Sequence, residues 1–285
     1  MIKSVIVLCL VALVTYGAIV LYLYVSQRRM VFVPDTSRPH PSASDAPEMI
    51  PEATKTPDGL TLIWWYKAAP RGRPTIVIFH GNAGNLASRD FKARVYLDAG
   101  FGVVLAEYRG YGGNPGNPTE EGLYIDARTI LDDLVRKGVR PELTVLYGES
   151  LGTGVAIQMA TEGRGAAVVL EAPYTTLPDM AANYYPWAPV RQLMKDRFES
   201  IEKIGNLSIP ILVMHGDEDR TIPVFMARDL AAAATGTAQL VIFPGGGHTD
   251  LYSHGAAARV VGFLEQQFKT RRIRDADHSA TPISE

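Results

Sequence analysis

Residues 143–161 read LTVLYGESLGTGVAIQMAT. A run of uncharged, β-branched and aromatic residues ends at Gly148-Glu149-Ser150-Leu151-Gly152, and an apolar run of helix formers follows. The order is strand, abrupt turn, helix, with G-x-S-x-G at the turn. A turn this tight forces strained φ/ψ on the serine, and a side chain at Gly148 or Gly152 would collide with neighbouring backbone. In return the serine Oγ projects clear of the strand end, beside the positive end of a helix. Ser150 is therefore the candidate nucleophile.

The segments on either side repeat one rhythm. Leu60–Tyr66, Thr75–Phe79 and Val103–Glu107 read as strands before the elbow; Ala167–Leu170, Ile211–Met214 and Leu240–Phe243 read as strands after it. Helical spacing of apolar residues marks Leu86–Ala99, Thr119–Lys137, Leu151–Thr161, Val224–Ala234 and Ala256–Phe268. Short charge-free strands such as TIVIF suit a sheet covered on both faces. Alternating strands and helices predict an α/β fold with a mostly parallel sheet and helices on both faces. The rhythm breaks between Pro173 and Pro210, where NYYPWAPVRQLMKDRF lies, and about 174–207 is expected to form a short lid excursion. No internal repeat is visible.

A serine needs a base to take its proton. His40 and His278 fall in a Pro-rich stretch and a polar tail, and His80 and His215 end strands. His248 follows a late strand and the run Gly245-Gly246-Gly247, which lets a loop bring the imidazole to the elbow; His254, at the entry to the last helix, is the weaker alternative. The loop His215-Gly216-Asp217-Glu218-Asp219 offers an orienting carboxylate, and spacing alone does not separate Asp217 from Asp219. Two backbone N–H groups must also face the developing oxyanion. The residue after the nucleophile, Leu151, is one. The loop His80-Gly81-Asn82-Ala83-Gly84-Asn85 supplies the other, with Asn82 chosen and Ala83 in reserve. That loop matches neither G-x-G-x-x-G nor G-x-x-x-x-G-K-[ST], so it does not read as a phosphate cradle.

The N-terminus has a different character. Val5 to Val25 holds no charged residue. As a helix at about 1.5 Å per residue it would span roughly 31 Å, the thickness of a bilayer core. Tyr22 and Tyr24 lie near one end, Lys3 before the run, and Arg28 and Arg29 after it. A cleaved signal peptide would want a shorter apolar core and a small-residue cleavage site, and neither is present. Residues 1–29 are expected to be a single-pass membrane anchor. The basic residues lean only slightly towards a cytoplasmic body, leaving the side of the catalytic domain open. The remaining expectations are a Pro- and Ser-rich linker or edge segment at 30–57, a catalytic domain at 58–270, and a disordered polar tail at 271–285.

Composition excludes other classes. The 285 residues carry a net charge of −2 and have a pI near 6.3, with no basic footprint for nucleic acid. The single cysteine, Cys9, allows no intramolecular disulfide and no clustered-thiolate metal site. It lies in the apolar run, where lipidation has little motif support. A mean hydropathy of +0.02 averages the N-terminal run with a fairly polar body.

The runs FHGNAGN (79–85), EYRGYGGNPGNPTEEGLYIDA (107–127), LYGESLGTGVA (146–156), LEAPYTTL (170–177), HGDEDRTIP (215–223) and GGGHTD (245–250) resemble the α/β-hydrolase superfamily. They are most similar to a membrane-anchored branch of serine hydrolases that includes protein depalmitoylases and many bacterial members, and the likeness spans about residues 60–268. It implies a Ser150–Asp219–His248 triad, with the acid at the last aspartate of HG-x-x-D, an oxyanion hole at Leu151 and Asn82, and neither metal nor organic cofactor. It also implies a small-molecule, lipid or acylated substrate and ester or thioester chemistry through an acyl-enzyme. A peptidase of the same fold and a non-catalytic membrane-anchored binding protein are the rival readings. Gly113 and Glu107 depart from the residues relatives often carry, serine and aspartate, and neither belongs to the triad.

Overall fold

The computed structural model describes residues 1–234 and 238–279, with side chains to Lys269. In chain order the elements are α1 (Ile2–Val31), β1 (Val33–Pro34), β2 (Ile50–Lys55), β3 (Thr61–Lys67), β4 (Thr75–Phe79), β5 (Ala83–Gly84), α2 (Asp90–Asp98), β6 (Gly102–Ala106) and α3 (Glu120–Arg136). They continue with β7 (Thr144–Glu149), α4 (Gly152–Thr161), β8 (Ala167–Glu171), α5 (Leu177–Tyr184), α6 (Val190–Leu193), α7 (Ser200–Ile204), β9 (Ile211–Gly216), α8 (Val224–Ala233), β10 (Ala238–Phe243) and α9 (Ala256–Ser279).

Eight strands form one sheet in the order β10-β9-β8-β7-β4-β6-β3-β2. The run from β10 to β6 is parallel, and β3 and β2 add antiparallel strands at one edge. Alternation along β4 shows how the two faces are filled. Val77 and Phe79 join a core with Leu123 and Ile130 of α3, Val155 of α4 and Met226 of α8. Ile76 and Ile78 join the opposite core with Tyr96 of α2 and Phe263 of α9. All five residues of β4 are buried, as strands with helices on both sides must be.

Several boundaries differ from the sequence reading. The expected helix at 86–99 is a 3₁₀ turn, Leu86–Arg89, followed by α2. Within the stretch read as linker or edge segment, β2 is a full edge strand paired with β3 from Ile50↔Tyr66 to Lys55↔Thr61. Its Pro51 and charged residues are tolerated because only one side of the strand must bond. The last helix continues past Phe268 to Ser279, into the stretch expected to be disordered; residues 280–285 lie outside the described residues.

α1 is the one helix among the described residues long and apolar enough to cross a membrane, and none of its hydrophobic window is buried by the protein. It runs two residues beyond the expected boundary at 29 and then passes directly into the α/β body. Val33 and Pro34 pair in parallel with Ala83 and Gly84. Gly112 N–H donates to Asp35 O at 2.8 Å, and Arg38 Nη2 to Gly113 O at 2.7 Å.

Candidate active site

The turn between β7 and α4 is as tight as the glycines require. A Cβ on Gly152 would lie 2.0 Å from Phe79 O, and one on Gly148 would lie 2.5 Å from Gly152 O. Ser150 has φ +51°, a left-handed conformation rare for residues with side chains and paid for by the packing around it. Its N–H donates to Glu171 O at 2.8 Å, fixing the turn to β8.

Three loops at the C-terminal ends of β7, β9 and β10 bring the expected residues together, where parallel sheets place their sites. His248 Nε2 lies 3.0 Å from Ser150 Oγ, and His248 Nδ1 lies 2.7 Å from Asp219 Oδ2. Asp219 Oδ1 accepts the backbone N–H groups of Thr221 at 2.7 Å and Ile222 at 2.9 Å. Of the two acids the sequence left open, Asp219 reaches the histidine; Asp217 Oδ1 instead accepts Gly245 N–H at 2.7 Å and ties down the glycine loop. His254 points away, 3.8 Å from Asp250. His80 is buried with its ring nitrogens on Gly81 O and Glu107 Oε1, both at 2.7 Å.

His215 was not anticipated at the site. Its Nε2 lies 2.8 Å from Ile222 O and 3.2 Å from Asp219 Oδ2, so one N–H serves both. Burial pushes the Asp219 carboxyl up, but the hydrogen bonds from His215 and His248, electrostatic attraction to His248 and the Ile222 N–H outweigh it. The carboxyl is held well below the usual carboxylate range.

The pocket over Ser150 is also bounded by Asn82 and Leu151. Among the described residues neither the Leu151 nor the Asn82 backbone N–H has an intramolecular acceptor. Asn82 is held from three directions. Its carbonyl accepts Val33 N–H at 2.9 Å and the Tyr111 hydroxyl at 2.8 Å, and its side-chain amide donates to Val31 O at 3.0 Å. Ala83 lies one residue along, in β5. The rest of the wall is apolar, with Leu177 and Met180 of α5, Ile222, and Met30 and Val31 of α1. Tyr184 and Tyr185 of the lid line the pocket. Trp187 does not; its carbonyl accepts the Tyr16 hydroxyl at 3.1 Å and its ring meets Tyr16 edge-on. The contribution of α1 was missed because Met30-Val31 follow Arg28-Arg29 and read as the start of a linker.

Beneath Ser150 lies a buried charge cluster the sequence did not announce. Glu149 lies 2.5 Å from both Arg89 Nη2 and Lys92 Nζ, and Lys92 Nζ lies 2.5 Å from Glu171 Oε2. The Tyr147 hydroxyl donates to the same Glu171 oxygen. Burial raises the Glu149 carboxyl, but Lys92 and Arg89 lower it further, well below the ordinary range. Paired in this way, Glu149 anchors the residue before Ser150 to α2. No group of three or more metal-ligating side chains occurs among the described residues.

The profile of the α/β-hydrolase fold family matches residues 74–198. The uncharacterized Mycobacterium tuberculosis protein Rv2307c is 38% identical over 248 residues, 86% of this chain and 88% of its own length. Human ABHD12B is 40% identical over 210 residues, covering 64% of this chain and 58% of its own. An esterase of Pyrococcus furiosus, Pf2001, superposes with a TM-score of 0.67 at 17% identity over 84% of this chain and 98% of its own, a likeness of fold alone. The chain therefore belongs to the α/β-hydrolase fold family.

Proposed function

We propose that this protein is a membrane-anchored serine hydrolase that cleaves carboxylic ester or thioester bonds of lipid or acylated substrates. The observation that carries this reading is the unbroken chain from Ser150 Oγ through His248 to Asp219, at 3.0 and 2.7 Å. The family supports hydrolysis, and the apolar wall of the pocket favours an acyl group over a polar one. The length and composition of α1 support a single-pass anchor.

In the proposed reaction the Asp219 carboxylate accepts the His248 Nδ1–H, leaving Nε2 free to take the Ser150 proton as Oγ attacks the carbonyl carbon. The carbonyl oxygen becomes an anion facing the N–H groups of Leu151 and Asn82. Each such donor is worth about 10²–10³ in rate. His248 Nε2–H then protonates the departing alcohol or thiol. Water, deprotonated by the same nitrogen, attacks the acyl-enzyme, and Ser150 recovers its proton as the acid leaves. A fluorophosphonate should label the wild-type protein at Ser150. Equal labelling of Ser150→Ala overturns the reading, as does His248→Ala retaining near-wild-type hydrolysis of p-nitrophenyl esters. Faster turnover of peptides than of esters and thioesters would favour the peptidase reading instead.

A further inference from the structure

Met30, Val31, Ala181 and Tyr185 line the pocket over Ser150, and the same four residues line a second cavity. That cavity is a groove running back along α1 as far as Val20. Val20, Leu23 and Tyr24 form one side; Ala188, Val190 and Leu193 of the lid form the other. Every lining side chain except Gln27 is apolar or aromatic. The Gln27 amide is turned onto backbone, donating to Tyr24 O and Leu193 O at 2.8 and 3.3 Å and accepting Lys195 N–H at 2.7 Å.

The two walls are fastened at both ends. Tyr16 meets Trp187 at the far end. At the near end Arg28 Nε lies 2.8 Å from Asp196 Oδ2, while Asp196 Oδ1 accepts the Glu120 N–H at the start of α3 at 2.9 Å. Lys195 Nζ lies 4.3 Å above the Tyr24 ring. These aromatic and basic groups are of the kind that mark a bilayer interface, and the groove passes them from the apolar part of α1 to the nucleophile.

We propose that this groove is the acyl-chain site, that α1 is one of its two walls, and that the chain enters from the membrane along that helix. The inference rests on the acyl-hydrolase reading above. From Val20 to Val31 the helix advances roughly 16 Å. A zigzag of C–C bonds of about 1.5 Å gains roughly 1.25 Å per carbon, so the groove, open along one side and continuous with the pocket over Ser150, is long enough for about a dozen carbons. A chain leaving the bilayer core along this path keeps apolar contact until its carbonyl reaches Ser150. Each methylene seated there contributes roughly a fourfold gain.

The test uses the full-length protein in detergent micelles with a hexadecyl fluorophosphonate carrying a diazirine at the chain end. Ser150 Oγ displaces fluoride and bonds to phosphorus, its proton passing through His248 to solvent; irradiation then cross-links the chain end. Mass spectrometry should find the adducts on residues 20–24 and 188–194. Adducts elsewhere on a phosphonylated protein overturn the inference and leave the hydrolase reading standing. Failure to phosphonylate Ser150 overturns both. In parallel, Leu23→Trp should lower the ratio of kcat/KM for hexadecanoyl over butanoyl esters by on the order of tenfold or more, since several methylenes lose their seat. Leu21→Trp, on the same helix but outside the groove, should leave that ratio where it is. An unchanged ratio in Leu23→Trp overturns the inference.

Discussion

Replacing Asp219 by asparagine removes one charge and almost no volume, and the surrounding hydrogen bonds dictate which way the new amide must face. Oδ1 accepts two backbone N–H groups, from Thr221 and Ile222, at 2.7 and 2.9 Å. An NH₂ group cannot accept, so the amide oxygen is held at that position. The nitrogen then occupies the place of Oδ2, 2.7 Å from His248 Nδ1. It donates, forcing Nδ1 to accept and moving the imidazole proton to Nε2, which faces Ser150. A histidine protonated there cannot take the serine proton. The expected loss in kcat is about 10⁴, from the known cost of the wrong tautomer in such triads. That is about 5 kcal/mol at 1.36 kcal/mol per tenfold. The same nitrogen also faces the His215 N–H, 3.2 Å from the present Oδ2, so a lower Tm is expected as well. The assay is hydrolysis of p-nitrophenyl butanoate by the full-length variant, alongside its rate of phosphonylation and its thermal melt. Asp217→Asn, whose carboxylate holds only the glycine loop, is the comparison. A folded Asp219→Asn that loses less than about tenfold refutes the tautomer argument, and so does a larger loss in Asp217→Asn.

Three further outcomes are expected. Gly152→Ala drives a methyl to 2.0 Å from Phe79 O, backbone that cannot step aside. A cost of about 3 kcal/mol or more should lower Tm by roughly 6–12 °C, and an unchanged melt would be inconsistent with the packing of α4 on β4. Glu149→Gln takes from Arg89 the carboxylate it pairs with and leaves Lys92 in the interior with Glu171 as its remaining carboxylate. It should cost about 3 kcal/mol, read as a lower urea midpoint with unchanged m. The folded state holds Asp219 and Glu149 below their ordinary carboxylate values. Their stabilisation is therefore fully present above about pH 5 and is lost as pH falls below about 4, when the unfolded chain takes up protons first. A Tm equal at pH 7 and pH 3, or higher at the lower pH, would contradict this.

The elbow was legible because its constraint is local. Gly148 and Gly152 are needed within five residues of chain, and strand and helix patterns flank them. Asp217 and Asp219 were not separable on the same grounds, since they sit two residues apart in one turn. Only the placement of the β10 loop decides which of them meets His248. The role of Glu149 was hidden for a related reason. In G-x-S-x-G it occupies a position open to any residue, and its partners Arg89 and Lys92 come from a distant 3₁₀ turn and the helix that follows it. β2 was obscured by Pro51 and alternating polar residues, which an edge strand accepts and a central strand does not. The apolar run of α1 was plain, but a run shows what a helix avoids and not what it touches. That Met30 and Val31 bound the pocket follows from pairing across some fifty residues of chain, Val33 with Ala83.

That pairing has a mechanical consequence. Boundaries between units normally fall in exposed linkers that few contacts cross. Here the backbone leaving α1 enters a strand ladder at once, with Val33 bonded to Asn82 and Arg28 locked to Asp196. There is no joint about which the globular part can swivel. On the proposed embedding of α1, the height of Ser150 above the lipid surface and the direction in which it faces become fixed dimensions of the molecule. The helix then works less as a tether than as a ruler, and a cut at its C-terminal end would remove part of the instrument.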